Sequence, residues 1–378
     1  MDPSRSPELP AAPRAASRPL WPVLVLVCIF VLAAGATGVW FAAVSRAGAV
    51  LDAWLQREAA RGRIWTCPDR RFSGYPLEIA VDCTGPTFAG PVGPKTIAVA
   101  AKGVHASVRI YRPNHIRAEV EGPFELRTED GRGLKLDWTT FEITIHGLPP
   151  AIERIAFDLD QPVASLTPDP LGLATFRAEE ASVHIRKPPS PDADDSPLEV
   201  TLAFAGASVP LVDRLIGSGD PASGEIRTSV SQPQFLTRGS IPERLESWRV
   251  AGGEIGIANA RFVKGAATIG ATGTLTLDQE HRLTGDIDAS AAGAGGLLRR
   301  FGIPTQATAI GAVLGSLLGG APKPRPEQAA AGDPPAAVGT LRLRFKLDDG
   351  RLAVELKGAD GNTVVGPFSL SLRLLPIY

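Results

Sequence analysis

The chain has 378 residues, a formal net charge of -1, 44% hydrophobic residues and 21% charged residues. That balance supports a packed fold and excludes global disorder. It argues against a nucleic-acid partner, which would need a clustered basic surface. With 40 Gly and 34 Pro, the composition favours many short strands and turns over long helices, where both residues are costly.

In chain order, residues 1–19 are mostly Pro, Ala, Ser and Arg and read as a disordered cytoplasmic tail. From Leu20 to Val44 no charge occurs, and Arg18 and Arg46 flank the run. At about 1.5 Å per residue this stretch crosses a hydrocarbon core of roughly 30 Å as a helix. Trp21, Trp40 and Phe41 sit near its ends, where interfacial aromatics are favoured. A cleaved signal peptide is the competing reading, with Val23 to Leu32 as its apolar part and Ala34-Gly35-Ala36 as the cleavage site. The anchor is preferred because apolar character continues past Ala36 to Val44. Ala34 and Gly38 form a small-xxx-small pair, by default plain helix texture. Residues 45–62 read as a short stalk helix that continues the anchor, and Gly62 ends it.

From residue 63 to the end, period-two alternation dominates and predicts a β-rich extracytoplasmic domain. Val104, Ala106, Val108 and Ile110 alternate with polar residues, as do Ile116, Ala118 and Val120. The pattern repeats over 134–138, 141–146, 198–204, 341–347, 352–356 and 368–374. Each strand then has one apolar and one polar face, the mark of an antiparallel sheet wetted on one side. Turn signals at Glu129-Asp130-Gly131 and Asp348-Asp349-Gly350 point to hairpins in a meander. The fold class is mainly β: a membrane helix followed by a long antiparallel sheet, either curved or in two layers, with a few short helices.

Helices are expected at Val209–Ile216 and at Ile241–Trp248, the second with Ser240 as N-cap, Pro242 in its first turn and Glu243 behind. Gly296–Phe301 and Thr305–Leu318 also look helical, and residues 321–337 read as a flexible loop. In the second of these, Ile310, Gly311, Val313, Leu314, Gly315, Leu317, Leu318 and Gly319 make an apolar, glycine-spaced face. The apolar part is too short to span a bilayer, so a lid helix packed on the sheet is preferred to a membrane-touching hairpin.

Of the three cysteines, Cys28 lies in the apolar N-terminal run. Cys67 and Cys83 flank Gly74-Tyr75-Pro76 symmetrically about Tyr75. An antiparallel hairpin centred there would set them opposite each other, within disulfide reach. Two free thiols are the alternative, but a disulfide fits an oxidising compartment. His105, His115, His146, His184 and His281 show no ligand spacing, and HExxH, CxxC, GxSxG and P-loop motifs are absent. Asp192, Asp194 and Asp195 read as a solvated loop. No catalytic, cofactor-binding or metal residue is therefore assigned, and no enzyme activity or cofactor is expected.

The run Arg63-Ile64-Trp65-Thr66-Cys67-Pro68, then Gly74-Tyr75-Pro76 and Cys83, resembles the start of the bacterial envelope family catalogued as domain of unknown function 2125. The end is similar too, through Asp349-Gly350-Arg351-Leu352, Val365-Gly366-Pro367-Phe368 and Leu375-Pro376-Ile377-Tyr378. The resemblance covers nearly everything after the anchor and carries no catalytic residue. A weaker likeness to AsmA-like envelope proteins rests on Ala271–Asp278, Leu283–Ile287 and the helical stretch at Leu297. It implies lipid handling or outer-membrane upkeep.

The expectation is a single-pass inner-membrane protein, most of it periplasmic, with the bilayer as partner through its N-terminal helix. An apolar sheet face would bind lipid or an envelope-assembly partner. The alternative is a structural subunit of an inner-membrane complex with no ligand.

Overall fold

The computed structural model describes residues 21–92, 95–148, 151–169, 175–188, 196–237, 239–293, 341–357, 363–370 and 377. The N-terminal tail, the acidic loop at 192–195, the proposed lid helix and the loop at 321–337 lie outside the described residues.

Anchor and stalk form one continuous helix, α1, over Trp21–Ala59. Its 39 residues make a rod of about 58 Å. Gly62 closes it in the left-handed conformation, φ +76°, with its N–H on the Ala59 carbonyl. The helix touches the sheet at successive heights. The Trp40 indole donates to the Glu78 carbonyl at 2.7 Å, Asp52 pairs with Arg70 at 2.8 Å, and the Trp54 and Trp65 rings lie 5.6 Å apart. At its end, Glu58 accepts two hydrogen bonds from Arg63 and one from Arg61.

Among the described residues, twenty strands belong to one sheet with antiparallel pairing throughout. They are β1 (Ile64–Thr66), β2 (Asp69–Ser73), β3 (Glu78–Thr84), β4 (Thr87–Val92), β5 (Lys95–Arg109), β6 (Arg112–Thr128) and β7 (Gly133–Asp137). Next come β8 (Thr140–Leu148), β9 (Ala151–Asp160), β10 (Val163–Thr167), β11 (Thr175–Arg177), β12 (Glu180–Arg186), β13 (Leu198–Ala207) and β14 (Ala222–Val230). Then follow β15 (Ile255–Lys264), β16 (Ala267–Leu277), β17 (Leu283–Ala292), β18 (Leu341–Asp348), β19 (Arg351–Lys357) and β20 (Thr363–Leu370). The two-layer alternative is thereby set aside for a single long sheet.

The main line of pairing runs β2-β3-β5-β6-β8-β9-β12-β13 and continues in sequence order to β20. The long β5–β6 hairpin is where the sheet forks. One half of β5 pairs with β3 and the other with β4, while β6 pairs with β8 along its first half and β7 along its second. The β7-β10-β11 branch returns to the main line through a bridge between Arg177 and Ser208. Trp138 fills the fork, its indole donating to the Val120 carbonyl at 2.8 Å. A small core sits where the branches rejoin: Ala178, Ala207 and Ala222, packed by Phe176, Phe204 and Phe262. Gly224 has no side chain because the Phe204 ring occupies that space.

Two short helices cap opposite rims. α2 (Pro210–Ile216) joins β13 to β14, and α3 (Ile241–Val250) joins β14 to β15. Both fall where expected. In α3 the Ser240 hydroxyl accepts from the Glu243 N–H and the Glu243 carboxylate accepts from the Ser240 N–H, a complete capping box.

Candidate functional site

The register shows what the alternation builds. Ile79, Val108, Ile116, Ile145, Ile155, Ile185 and Val200 are cross-strand neighbours in one unbroken row. A second row runs Val81, Ala106, Ala118, Ile143, Phe157, Val183, Leu202, Ile226, Ala260, Ala271, Ala289 and Leu343. At about 4.8 Å per strand the second row is roughly 55 Å long. Ile143, Phe157, Val183, Leu202 and Ile226 give it its bulk from β8 to β14, and alanines hold β15 to β17 before Leu343.

No residue of either row is buried. Leu202 is 42% exposed and Ile226 39% exposed. The buried apolar residues among those described are few, and four of them are alanines: Ala80, Ala178, Ala207 and Ala222. The apolar face is therefore only half covered, each side chain being shielded mainly by its neighbours in the sheet.

The opposite face is polar and laced with cross-strand pairs. Asp82 meets His105 at 2.6 Å, Glu142 meets Arg117 at 2.7 Å, and Asp158 meets His184 at 2.9 Å. Farther along, Glu199 pairs with Arg186 and Asp288 with Arg344, both at 2.7 Å. His105 and His184 thus occupy strand surface positions beside carboxylates. His281 lies 3.2 Å from Glu246. His115 and His146 come together, ring centroids 4.3 Å apart, because β6 and β8 set them opposite each other. Their sequence separation hides that pairing. No group of three His, Cys, Asp or Glu suited to a metal exists among the described residues.

Cys67 and Cys83 are bonded, with Cα atoms 5.7 Å apart. The hairpin is not centred on Tyr75, however. Ser73 pairs with Ala80, and Arg70 stands opposite Cys83. Cys67 reaches Cys83 from the turn between β1 and β2, so the pair is as expected but the register is shifted. The tight Gly74–Glu78 turn, in which the Glu78 N–H bonds the Gly74 carbonyl, accounts for the shift. Cys28 is a free, exposed thiol on α1.

β16 and β17 form the strand pair of the AsmA-like stretch, and the helical part at Leu297 lies outside the described residues. A family model described as uncharacterized protein conserved in bacteria (DUF2125) matches residues 40–371. No curated protein and no solved structure matches the chain.

Proposed function

Since the chain belongs to the DUF2125 family, whose activity is open, we propose from its geometry that it is a non-enzymatic inner-membrane protein whose uncovered sheet face binds phospholipid acyl chains on the periplasmic side. One observation carries this reading: an apolar row twelve strands wide in which no side chain is buried. With the shorter row beside it, its area is on the order of 600 Å², at the upper end of the few hundred Å² of apolar patch that soluble monomers usually expose. Acyl chains need no fixed polar partners, because burial of apolar area at about 25 cal/mol per Å² suffices to hold them. α1, the one described helix long and apolar enough to cross a membrane, supplies the lipid source. The Cys67–Cys83 bond supports an oxidising compartment for the sheet.

The test is a photo-reactive phenylalanine analogue placed at Leu202 or Ile226 of the full chain, irradiated in native membranes. The expected product is a phospholipid adduct from these positions and none from Thr201 on the polar face. Crosslinks to protein alone would replace this reading with the structural-subunit one. A mature N-terminus at Thr37 would remove the anchor from it.

A further inference from the structure

The turn between β2 and β3 sets the height of the sheet against the membrane. The Tyr75 hydroxyl lies 2.7 Å from Thr37 Oγ1, and Trp40 donates to the Glu78 carbonyl. Both helix residues lie inside the charge-free stretch that ends at Val44. The rim bearing Tyr75, Leu77 and Tyr111 is therefore level with the last turns of the apolar segment. All three are exposed, at 55%, 61% and 60%. Tyrosines beside an aliphatic side chain at that depth match the headgroup level of a bilayer, where an apolar ring body and a polar tip are both accommodated.

Just behind this rim, the polar face is graded in charge. Arg109 and Arg112 are cross-strand neighbours, and His115, His146, Arg154 and Arg186 follow across β6, β8, β9 and β12. Four residues farther from the rim along the strands, the corresponding row is Asp82, Glu119, Glu142 and Asp158, with His105 among them. Glu78 and Glu199 stand at the two ends of the first row, which still carries more basic than acidic groups; it lies nearer the membrane, and the acidic row lies away from it. Arg109, Arg112 and Arg154 make no ion pair among the described residues. A cleft of about 420 Å³ opens between β3, β5 and β6, walled at its membrane end by Glu78, Arg109, Arg112 and His115 and farther back by Arg117 and Glu119. Burial, and then the charges of His146, Arg109, Arg112 and Arg117, hold the His115 imidazole below its ordinary range.

We propose that this cleft holds the phosphate of an anionic phospholipid from the leaflet that α1 enters, so that the rim docks on the bilayer. The acidic row faces away from the negatively charged surface and fixes the direction of docking. This inference rests on α1 remaining as an anchor, but it concerns the polar face and is independent of acyl chains on the apolar one.

The experiment uses the full chain in nanodiscs of equal phosphatidylglycerol and phosphatidylcholine, released into native mass spectrometry. The wild type should retain phosphatidylglycerol in preference. Arg109→Gln with Arg112→Gln should lower that preference by about fivefold per arginine, and Arg109→Lys with Arg112→Lys should keep most of it. Photo-adducts at Leu202 should be unchanged in all three proteins, which separates this site from the acyl-binding face. Equal retention of both lipids by the wild type, or an unchanged preference in the glutamine variant, would overturn the proposal. So would release of the chain from membranes by alkaline carbonate. A parallel ³¹P NMR titration with inorganic phosphate identifies the source: arginine-dependent binding of phosphate without lipid preference would make the cleft a free-phosphate site and refute the lipid assignment.

Discussion

Strands β1–β5, beside α1, and strands β13–β17, far from it, are held by different kinds of contact. Beside the helix, bonds between elements are redundant: the disulfide, the Trp40 and Glu58 contacts, the Asp52–Arg70 pair and the tilted ring contacts of Trp54, Trp65 and Phe88. Along β13–β17, ladder hydrogen bonds join strands whose second-row residues shrink from Leu202 and Ile226 to Ala260, Ala271 and Ala289, and each capping helix has one buried tie. α2 is held by Lys264, whose side chain is 2% exposed and donates to Asp213 at 2.6 Å and to the Asp220 carbonyl at 2.5 Å. α3 is held by Trp248, 3% exposed, whose indole donates to the Ser231 carbonyl at 2.7 Å while its ring fills the space over Gly253. Redundant ties give the near end of the sheet a fixed pose on α1.

The largest effect should come from breaking a single tie. Asp213→Ala leaves the Lys264 ammonium buried without its counter-ion and should cost about 3–5 kcal/mol, read as a lowered urea midpoint. Asp213→Leu with Lys264→Met removes both charges and should cost much less. The pH dependence follows from the same pair. The Lys264 ammonium, aided by the Ser208 hydroxyl, holds the Asp213 carboxyl below its ordinary range against the opposing effect of burial. A carboxyl depressed in the folded state stabilises above its unfolded pKa, and that stability is lost as pH falls through its folded value. Acid titration of the wild type should therefore loosen α2, and the Leu/Met variant should lose this acid sensitivity.

A smaller effect is expected at the redundant end. Replacing Cys67 and Cys83 by serine should cost about 3 kcal/mol by the chain-entropy argument. Hydrogen exchange should show the loss in β1–β3 and leave β14–β17 protected as before. Equal loosening of the distal strands would contradict the contrast between the two regions. Smallest is the capping box of α3: Ser240→Ala should cost about 1 kcal/mol, visible as faster exchange in the first turn of α3, with Trp248 still seated.

The same contrast explains what could be read from the residues alone. In β5, β6 and β8 the face positions are Ile, Val and Phe with Ala106 and Ala118 among them, so alternation is strong and these strands were legible. In β15–β17 the apolar face is broken up by Ala260, Ala271, Gly273 and Ala289 among Ile257, Phe262, Ile269 and Ile287, which weakens the alternation although the pairing is long. One sheet and two layers bury the same alternating residues, so the choice between them lay in pairings such as β6 with β8 that no local pattern records. The cysteine pair was legible from its spacing, but the register was not, because a turn that consumes extra residues leaves no mark on alternation. The basic row behind the rim was invisible for a related reason: His115 and His146, or Arg154 and Arg186, become neighbours only through the ladder.

From β14 onward every strand pairs only with the strand before it and the strand after it. A barrel ties its width to its strand number, because the last strand must meet the first. This sheet has no such closure. A hairpin gained or lost at the β20 end would change its reach by about 10 Å and leave every register between α1 and β17 in place. The quantity this architecture leaves adjustable is lateral span, measured across the strands away from α1 in steps of two.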